Sequence, residues 1–379
     1  MSENTRSDHQ PGGYHPSGNE RSGNGQNTRS GNERSGNGQN TRSDHQPGGH
    51  ELSGRNPRSN QSQPSGHHPK VLVYQSQHPE KFADVLAELG IPNVTVARST
   101  DEVEPDLSDV EIMFGWNIPI AWLKKAPNLR WVQWSGAGVD SVALKRDQLP
   151  SHLQLTRIVN QFSIPMAEYV FTYLLHVVKD VRRQQKAQEQ KRWDPFRAPL
   201  LAGQHIGVAG LGSIGAEVVR KARAFDMQVS GLSATGRNHD MVDMHYSADE
   251  WLKFVEPLDI LVLTLPLTER TRHVMNARVF DAMKDKAIIV NVGRGALIRE
   301  ADLIPRLASG RIQAAILDVF EREPLPADSP LWTLHNVFVS PHMSGPSETR
   351  KTSEFFAENY YRYLRQEPLQ GVVDLTRQY

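Results

Sequence analysis

The chain of 379 residues contains no cysteine, which excludes disulfide staples, thiolate nucleophiles and Cys-ligated zinc. A cysteine-free composition fits a reducing compartment, and a cytoplasmic protein is expected. An excess of either charge is missing too: 43 Lys and Arg balance 43 Asp and Glu. Such a balance favours neither anionic nor cationic partners, and no basic patch with interleaved aromatics marks a nucleic-acid face. No apolar run approaches the ~18 residues of a membrane span, and the first residues lack the apolar core of a signal peptide. Neither nucleic acid nor membrane is expected as a partner.

Hydrophobic residues are almost absent from positions 1–69, where only Met1, Tyr14 and Leu52 occur. The remaining Gly, Asn, Ser, Arg, Gln, Pro and His cannot bury enough apolar surface to offset the entropy lost on ordering, so a disordered tail is expected. The tail repeats itself: "GNERSGNGQNTRS" fills 18–30 and again 31–43, and "TRSDHQPGG" fills 5–13 and 41–49. Such units could stack as a solenoid only with a hydrophobic face, and none has one. The six tail histidines lie in solvated low-complexity sequence, and no metal is expected.

From Lys70 onward the composition turns globular, with roughly 310 residues, room for two domains of ordinary size. "KVLVYQ" (70–75) reads as a buried strand and "PEKFADVLAELG" (79–90) as a helix, and "VTVAR" (94–98), "EIMFGW" (111–116) and "LRWVQWSGAGVD" (129–140) continue an alternation of strands with helical stretches. Alternation of this kind predicts a parallel α/β sheet. A long amphipathic segment follows, "IPMAEYVFTYLLHVVKDVRRQQKAQ", with Met166, Val170, Tyr173, Leu174, Val177, Val178 and Val181 on one helix face. A second alternation then begins. Its strands are "HIGVAG" (205–210), "QVSGLS" (228–233), "DILVLTLPL" (259–267), "AIIVNVG" (287–293), "AAILDVF" (314–320) and "VFVSPH" (337–342), and "SETRKTSEFFAENYYRYLRQ" closes the chain as a helix.

"VAGLGSIGAEVV" places Gly210, Gly212 and Gly215 at G-x-G-x-x-G spacing between a strand and a helix. That context suits a dinucleotide: the first glycine permits the turn, the second admits a pyrophosphate and the third lets helix pack on sheet. The helix N-terminus then presents free N–H groups to the phosphates. In the NAD version an acidic residue ends the second strand and binds the ribose 2′-hydroxyl. Ser233 stands there instead, and Arg237 follows in "ATGR", suited to a 2′-phosphate. NADP(H) is the expected cofactor, with NAD(H) as the alternative.

Three more residues follow strands of the second alternation: Arg294 in "VGRG", Glu323 in "EREP" and His342 in "VSPH". Ligands of open parallel sheets bind at the carboxyl ends of the strands, so all three are expected beside the dinucleotide. Together they suit reduction of a 2-keto acid. A guanidinium holds the substrate carboxylate and polarises the carbonyl, and an imidazolium delivers a proton. A carboxylate on the other ring nitrogen fixes the tautomer and favours the charged imidazole. Glu321, two residues from Glu323, competes for that last role.

In order along the chain, "WSGAGVD" (134–140), "GLGSIG" (210–215), "LPLTERTRHVMN" (265–276), "NVGRGALIREADLI" (291–304), "LDVFEREPLP" (317–326) and "SPHMSG" (340–345) resemble the D-isomer-specific 2-hydroxyacid dehydrogenase family. The resemblance spans roughly 70–379 and leaves out the tail. It implies two Rossmann-like domains with parallel sheets flanked by helices and a cleft between them. The substrate-binding, flavodoxin-like domain would take 70–164 plus 342–379 and the dinucleotide-binding domain 165–341, in a homodimer built largely through the latter. It implies Arg294, Glu323 and His342 as the catalytic trio. The backbone of Gly136, Ala137 and Gly138 would bind the substrate carboxylate, with Arg294 and His342. Cofactor contacts would come from Gly210, Gly212, Ser213, Ile214, Gly215, Ser233, Arg237, Leu265, Pro266, Thr271, Val292, Gly293, Asp318, His342 and Ser344. Asp318 would lie beside the nicotinamide carboxamide and Pro266 near the adenine side.

Ser233 resembles the NADPH-preferring glyoxylate/hydroxypyruvate reductase branch. Glu323 argues against formate dehydrogenases, which carry glutamine there, and the chain end at Tyr379 leaves no room for the regulatory domain of many phosphoglycerate dehydrogenases. The expected function is hydride transfer from NAD(P)H to a small 2-keto acid, giving the D-2-hydroxy acid. The alternative is a dinucleotide-sensing, corepressor-like interaction protein. Trp116 and Trp134 are candidates to line the pocket, with burial in a core as the other reading.

Overall fold

A computed structural model describes residues 66–76, 78–98 and 106–379; the tail positions 1–65 lie outside the described residues. Continuous apolar runs become parallel strands here because a strand covered by helices on both faces needs apolar side chains at every position. Ile260–Leu263 and Ala287–Asn291 are buried at each residue.

Among the described residues there are two sheets, parallel throughout. The first contains β1 (Lys70–Tyr74), β2 (Val94–Ala97), β3 (Val110–Gly115), β4 (Trp131–Trp134) and β5 (Gln154–Arg157), ordered β2-β1-β3-β4-β5. The second contains β6 (His205–Ala209), β7 (Gln228–Leu232), β8 (Met244–Tyr246), β9 (Ile260–Leu263), β10 (Ala287–Asn291), β11 (Ile312–Leu317) and β12 (Val337–Val339), ordered β12-β11-β10-β9-β6-β7-β8. The first order is flavodoxin-like. The second is the doubly wound dinucleotide-binding order with one strand added at its edge, and its direction switches between β6 and β9.

The connecting helices are α1 (Pro79–Glu88), α2 (Ile120–Lys125), α3 (Asp140–Ala143), α4 (Ser163–Val178), α5 (Val181–Glu189), α6 (Ser213–Ala224), α7 (Trp251–Val255), α8 (Ala277–Ala282), α9 (Glu300–Ala308) and α10 (Thr349–Leu364). Each sheet carries an apolar layer on both faces, as in the expected Rossmann-like α/β architecture. None of the described helices is long and apolar enough to cross a membrane. The terminal α10 lies on the first sheet: Phe356 stacks on Phe114 at 4.5 Å and on Trp131 at 5.2 Å, and Tyr361 donates to the Leu89 carbonyl. Stacked pairs of this kind add about 0.5–1.5 kcal/mol to the area they bury.

The elements depart from the expected pattern in three places. The long amphipathic segment is two helices. Asp180 adopts a left-handed conformation (φ 45°) and accepts the Arg183 N–H, capping α5 and ending the register of α4. Strands β5 and β8 were not expected, since four and three residues at or near a sheet edge give too little alternation to read. Strand β9 stops at Leu263 rather than running to Leu267, because the Thr264 hydroxyl donates to the Gly210 carbonyl at 2.7 Å and ties the chain to the glycine loop.

Candidate active site

The glycine loop leaves β6 at the point where the second sheet changes direction. Gly210 has φ 103°, where a side chain would be strained, and its N–H bonds to the Leu232 carbonyl at 2.8 Å. A Cβ on Gly215 would lie 1.9 Å from the Gly210 carbonyl oxygen, so only glycine lets α6 begin so close to the strand. Among the described residues, and apart from Gly212 and its chain neighbours, no atom lies within 4 Å of where a Cβ on Gly212 would stand, which leaves the space a pyrophosphate requires at the start of a twelve-residue helix. Asn238 donates to the Leu211 carbonyl at 2.8 Å and braces the loop from outside. Open space, backbone turn and helix start together fit a dinucleotide.

Three strand ends of the same sheet bring up the trio. His342 follows β12 with φ 52°, and its Nδ1 lies 2.8 Å from Glu323 Oε2. The other oxygen of Glu323 accepts the Phe320 N–H at 3.0 Å, so both ends of the carboxylate are held. Burial alone would raise the pKa of Glu323. The hydrogen bond with His342, the Phe320 N–H and the charges of His342 and Arg294 outweigh it and keep the carboxyl below its ordinary value. An ionised carboxylate can only accept, so Nδ1 carries the hydrogen and Nε2 is free for a substrate oxygen. Glu321 has a different fate: it accepts the Glu300 N–H at 2.9 Å and pairs with His273 Nε2 at 2.6 Å.

Arg294 is held from three sides. Its Nε donates to Asp140 Oδ1 at 2.6 Å and its Nη1 to the Gly293 carbonyl at 2.8 Å. Both partners of the ion pair are largely covered, with 20% and 25% of their side chains exposed. Buried Asn291 clamps the turn before it, taking the Gly293 N–H and donating to the Arg294 carbonyl. A Cβ on Gly295 would lie 1.8 Å from the Phe320 backbone, so a side chain there would push the Arg294 turn away from the loop that carries Glu323.

Asp318 is fully buried and organises the histidine loop. It accepts the Ser340 hydroxyl at 2.6 Å and the N–H groups of Met343 and Ser344 at 2.9 Å, while its carbonyl takes the His342 N–H at 2.9 Å. Tyr169 extends the network to Ser340 at 2.6 Å, its hydroxyl held neutral by burial. The left-handed backbone of His342 costs free energy that these bonds offset.

The first sheet meets this group at the turn after β4. Among the described residues, no acceptor takes the N–H groups of Gly136, Ala137 or Gly138. A Cβ on Gly138 would stand 1.1 Å from Arg294 Nη2, so the turn and the guanidinium touch. Free N–H groups beside a guanidinium suit an anion. Trp116 lies against Gly136, half-buried, whereas Trp134 is 1% exposed and belongs to the core.

The remaining candidates follow strands of the second sheet. Ser213 and Ile214 open α6. Ser233 is buried, with its hydroxyl 2.9 Å from His245 Nε2, and Arg237 is exposed in the loop that follows. Leu265 and Pro266 are half-buried just past β9, and Thr271 Oγ1 donates to the Pro266 carbonyl at 2.8 Å. Val292 and Gly293 are buried past β10, and Ser344 is fixed on Asp318. Sequence reasoning missed Asp140, Asn291, Gly295, Ser340, Tyr169 and Asn238. Asp140, Asn291, Gly295 and Ser340 stood inside quoted motifs and Tyr169 inside the amphipathic segment, while Asn238 gave no signal.

The NAD-binding domain of the D-isomer specific 2-hydroxyacid dehydrogenases matches this chain over residues 171–344. A D-isomer specific 2-hydroxyacid dehydrogenase from Xanthobacter autotrophicus Py2, solved with NADPH and MES, is 34% identical; the match covers 82% of this chain and all of that one, with a TM-score of 0.75. The chain belongs to the D-isomer specific 2-hydroxyacid dehydrogenase family. Within this dehydrogenase family it is also similar to the NADPH-dependent glyoxylate/hydroxypyruvate reductase of Sinorhizobium meliloti, solved with NADP and sulfate, at 31% identity over 82% of this chain and all of that one, with a TM-score of 0.75. The D-3-phosphoglycerate dehydrogenase of Methanocaldococcus jannaschii is 31% identical over 81% of this chain, which spans 59% of that relative's length.

Proposed function

We propose that this member of the 2-hydroxyacid dehydrogenases reduces small 2-keto acids of the glyoxylate/hydroxypyruvate type to D-2-hydroxy acids, with NADPH preferred over NADH. The observation that carries the reading is the His342–Glu323 pair beside Arg294, on the same sheet edge as the glycine loop. The bound dinucleotide supplies the hydride. The free N–H groups of Gly136, Ala137 and Gly138 take the substrate carboxylate, and Arg294, braced by Asp140, polarises the keto oxygen. His342 Nε2 gives that oxygen its proton while Glu323 stabilises the imidazolium, a step worth roughly 10²–10⁴ in rate.

Support for NADPH comes from the end of β7. The Ser233 hydroxyl is bonded to His245, and exposed Arg237 is free to meet a 2′-phosphate. Relatives solved with NADPH or NADP point the same way. The homodimer and the cytoplasmic setting are part of this proposal. Trp193 at 94% exposure and Leu200, exposed on the same connecting segment between α5 and β6, support a second copy covering that segment. Sedimentation of the full chain tests the dimer. Steady-state kcat/KM for glyoxylate, hydroxypyruvate and pyruvate with each reduced cofactor tests the activity. Turnover of none would favour the corepressor-like alternative, and a preference for NADH would remove Arg237 from the site.

A further inference from the structure

Arg157 closes β5 at the back of the Gly136–Gly138 turn, and its surroundings are unusual for an arginine. It is half-buried, and among the described residues its guanidinium makes one hydrogen bond, to the Ala137 carbonyl at 3.3 Å, and no ion pair. Its own backbone is fixed by the Gly371 carbonyl, which accepts its N–H at 2.9 Å beside the antiparallel bridge between Thr156 and Val372. Burial, then the positive charges of Arg237 and Arg294, hold the guanidinium below its ordinary value. Like charges brought together without carboxylates are costly, and a bound anion repays the cost. Asp140 offsets Arg294 alone.

The geometry says how Arg157 acts. The Gly136 carbonyl accepts the Ile158 N–H at 3.1 Å, and the next carbonyl along, that of Ala137, accepts Arg157 Nη1. Two successive carbonyls of the turn are thus drawn back toward β5. In a trans peptide C=O and N–H point opposite ways, so the N–H groups of Ala137 and Gly138 are turned away from β5, where nothing among the described residues accepts them. A cation on a carbonyl also polarises its amide and strengthens the N–H as a donor.

We infer that Arg157 is a positioning residue for substrate selection: it orients and polarises the Gly136–Gly138 turn and adds a positive charge behind it, so that the site demands an ionised carboxylate next to the keto group. This rests on the reductase reading above. Acid selectivity is then set from the first sheet, by a residue that does not touch the reacting atoms.

The test compares glyoxylate with neutral glyoxylamide, using NADPH and the full-length wild type, Arg157→Met and Arg157→Lys. Oxalate serves as a competitive inhibitor in the same assays. In Arg157→Met, KM for glyoxylate and Ki for oxalate should rise about tenfold, with kcat and NADPH affinity changed less than about twofold. The rate with glyoxylamide should stay near the wild-type rate, and Arg157→Lys should recover part of the loss. An equal fall for acid and amide with oxalate unmoved would make the role merely structural and overturn the inference, as would a loss confined to NADPH binding. If Arg157→Met fails to fold, the oxalate Ki of Arg157→Lys decides: a rise supports the inference and a wild-type value overturns it. No turnover of glyoxylate by the wild type, by contrast, would sink the reductase reading itself.

Discussion

The second sheet arms its carboxyl edge with side chains. Arg294, Glu323 and His342 each follow a strand, and each is held by a partner of its own. The first sheet brings almost none. Its contribution at the same place is a stretch of backbone with free N–H groups, kept bare by Gly136 and Gly138 and braced from behind. Proton transfer and carbonyl polarisation need particular functional groups, whereas gripping a carboxylate needs only donors aimed at one point. The division predicts that damage to the second edge appears in kcat and damage to the first in KM.

The largest effect is expected at His342, the proposed proton donor. His342→Ala should lower kcat by about 10²–10⁴ while NADPH affinity, measured by fluorescence titration, stays within about twofold. A variant that turns over near the wild-type rate would take His342 out of the chemistry and leave the second edge without its acid.

The next effect separates two carboxylates that lie two residues apart. Glu323→Gln keeps the size but loses the charge that fixes His342, and kcat should fall by about 10–10³ at nearly constant KM. Glu321→Gln should leave kcat within about twofold and lower the melting temperature instead, because Glu321 ties α9 to the loop after β11 and pairs with His273. If the two variants exchanged these outcomes, the reading of the edge would be assigned to the wrong residue. Both are exposed acids in "EREP" as far as sequence goes; only the Phe320 N–H and His342 on one, and Glu300 and His273 on the other, tell them apart.

On the first edge, Gly138→Ala puts a methyl where Arg294 Nη2 now lies, at 1.1 Å from the Cβ position. The guanidinium must move, and KM for the keto acid should rise about tenfold or more, with a smaller loss in kcat. Unchanged KM would mean that the turn does not hold the carboxylate.

How much of this the sequence discloses follows from the same contrast. Side chains that end apolar runs announce themselves, and buried parallel strands such as Ile260–Leu263 are hard to miss. That Arg294, Glu323 and His342 share one edge follows from reading the α/β alternation as one parallel sheet, whereas the strand order comes from the structure alone. Residues that work through other residues carry no such mark. Asn291 reads as the polar end of a strand, Tyr169 as one more position on an amphipathic helix, and Arg157 as a basic residue in a short strand that was not expected at all. Their roles depend on contacts 2 to 171 positions away in the chain, which periodicity cannot report. The break between α4 and α5 is a further case, since a left-handed Asp180 ends the helix just before Val181, the last residue of the apolar face.

The smallest effect tests the opposite, amino end of the second sheet, where side chains should serve stability alone. His205 opens β6 with its Nε2 2.8 Å from Ser230 Oγ. Burial first, then the charge of Lys284, lowers its proton affinity below the ordinary histidine value, against the opposing charges of Asp259 and Asp243. Between the folded value and the unfolded value of about 6.5 the unfolded chain binds more protons, so stability rises with pH. The contribution is therefore complete above about pH 6.5 and is lost as pH falls through the folded value. Asp243 and Asp259 are held below their ordinary values, so their own loss comes at lower pH, below about 4, and does not overlap that window. His205→Gln keeps a donor and an acceptor near Ser230 and removes the titration. The melting temperature should then fall by about one or two degrees less than in the wild type between pH 7.5 and pH 5.5. Glyoxylate reduction at pH 7.5 should be unaltered. A change in kcat/KM instead would mean that the two ends of the sheet are coupled, and the separation of chemistry at one end from stability at the other would fail.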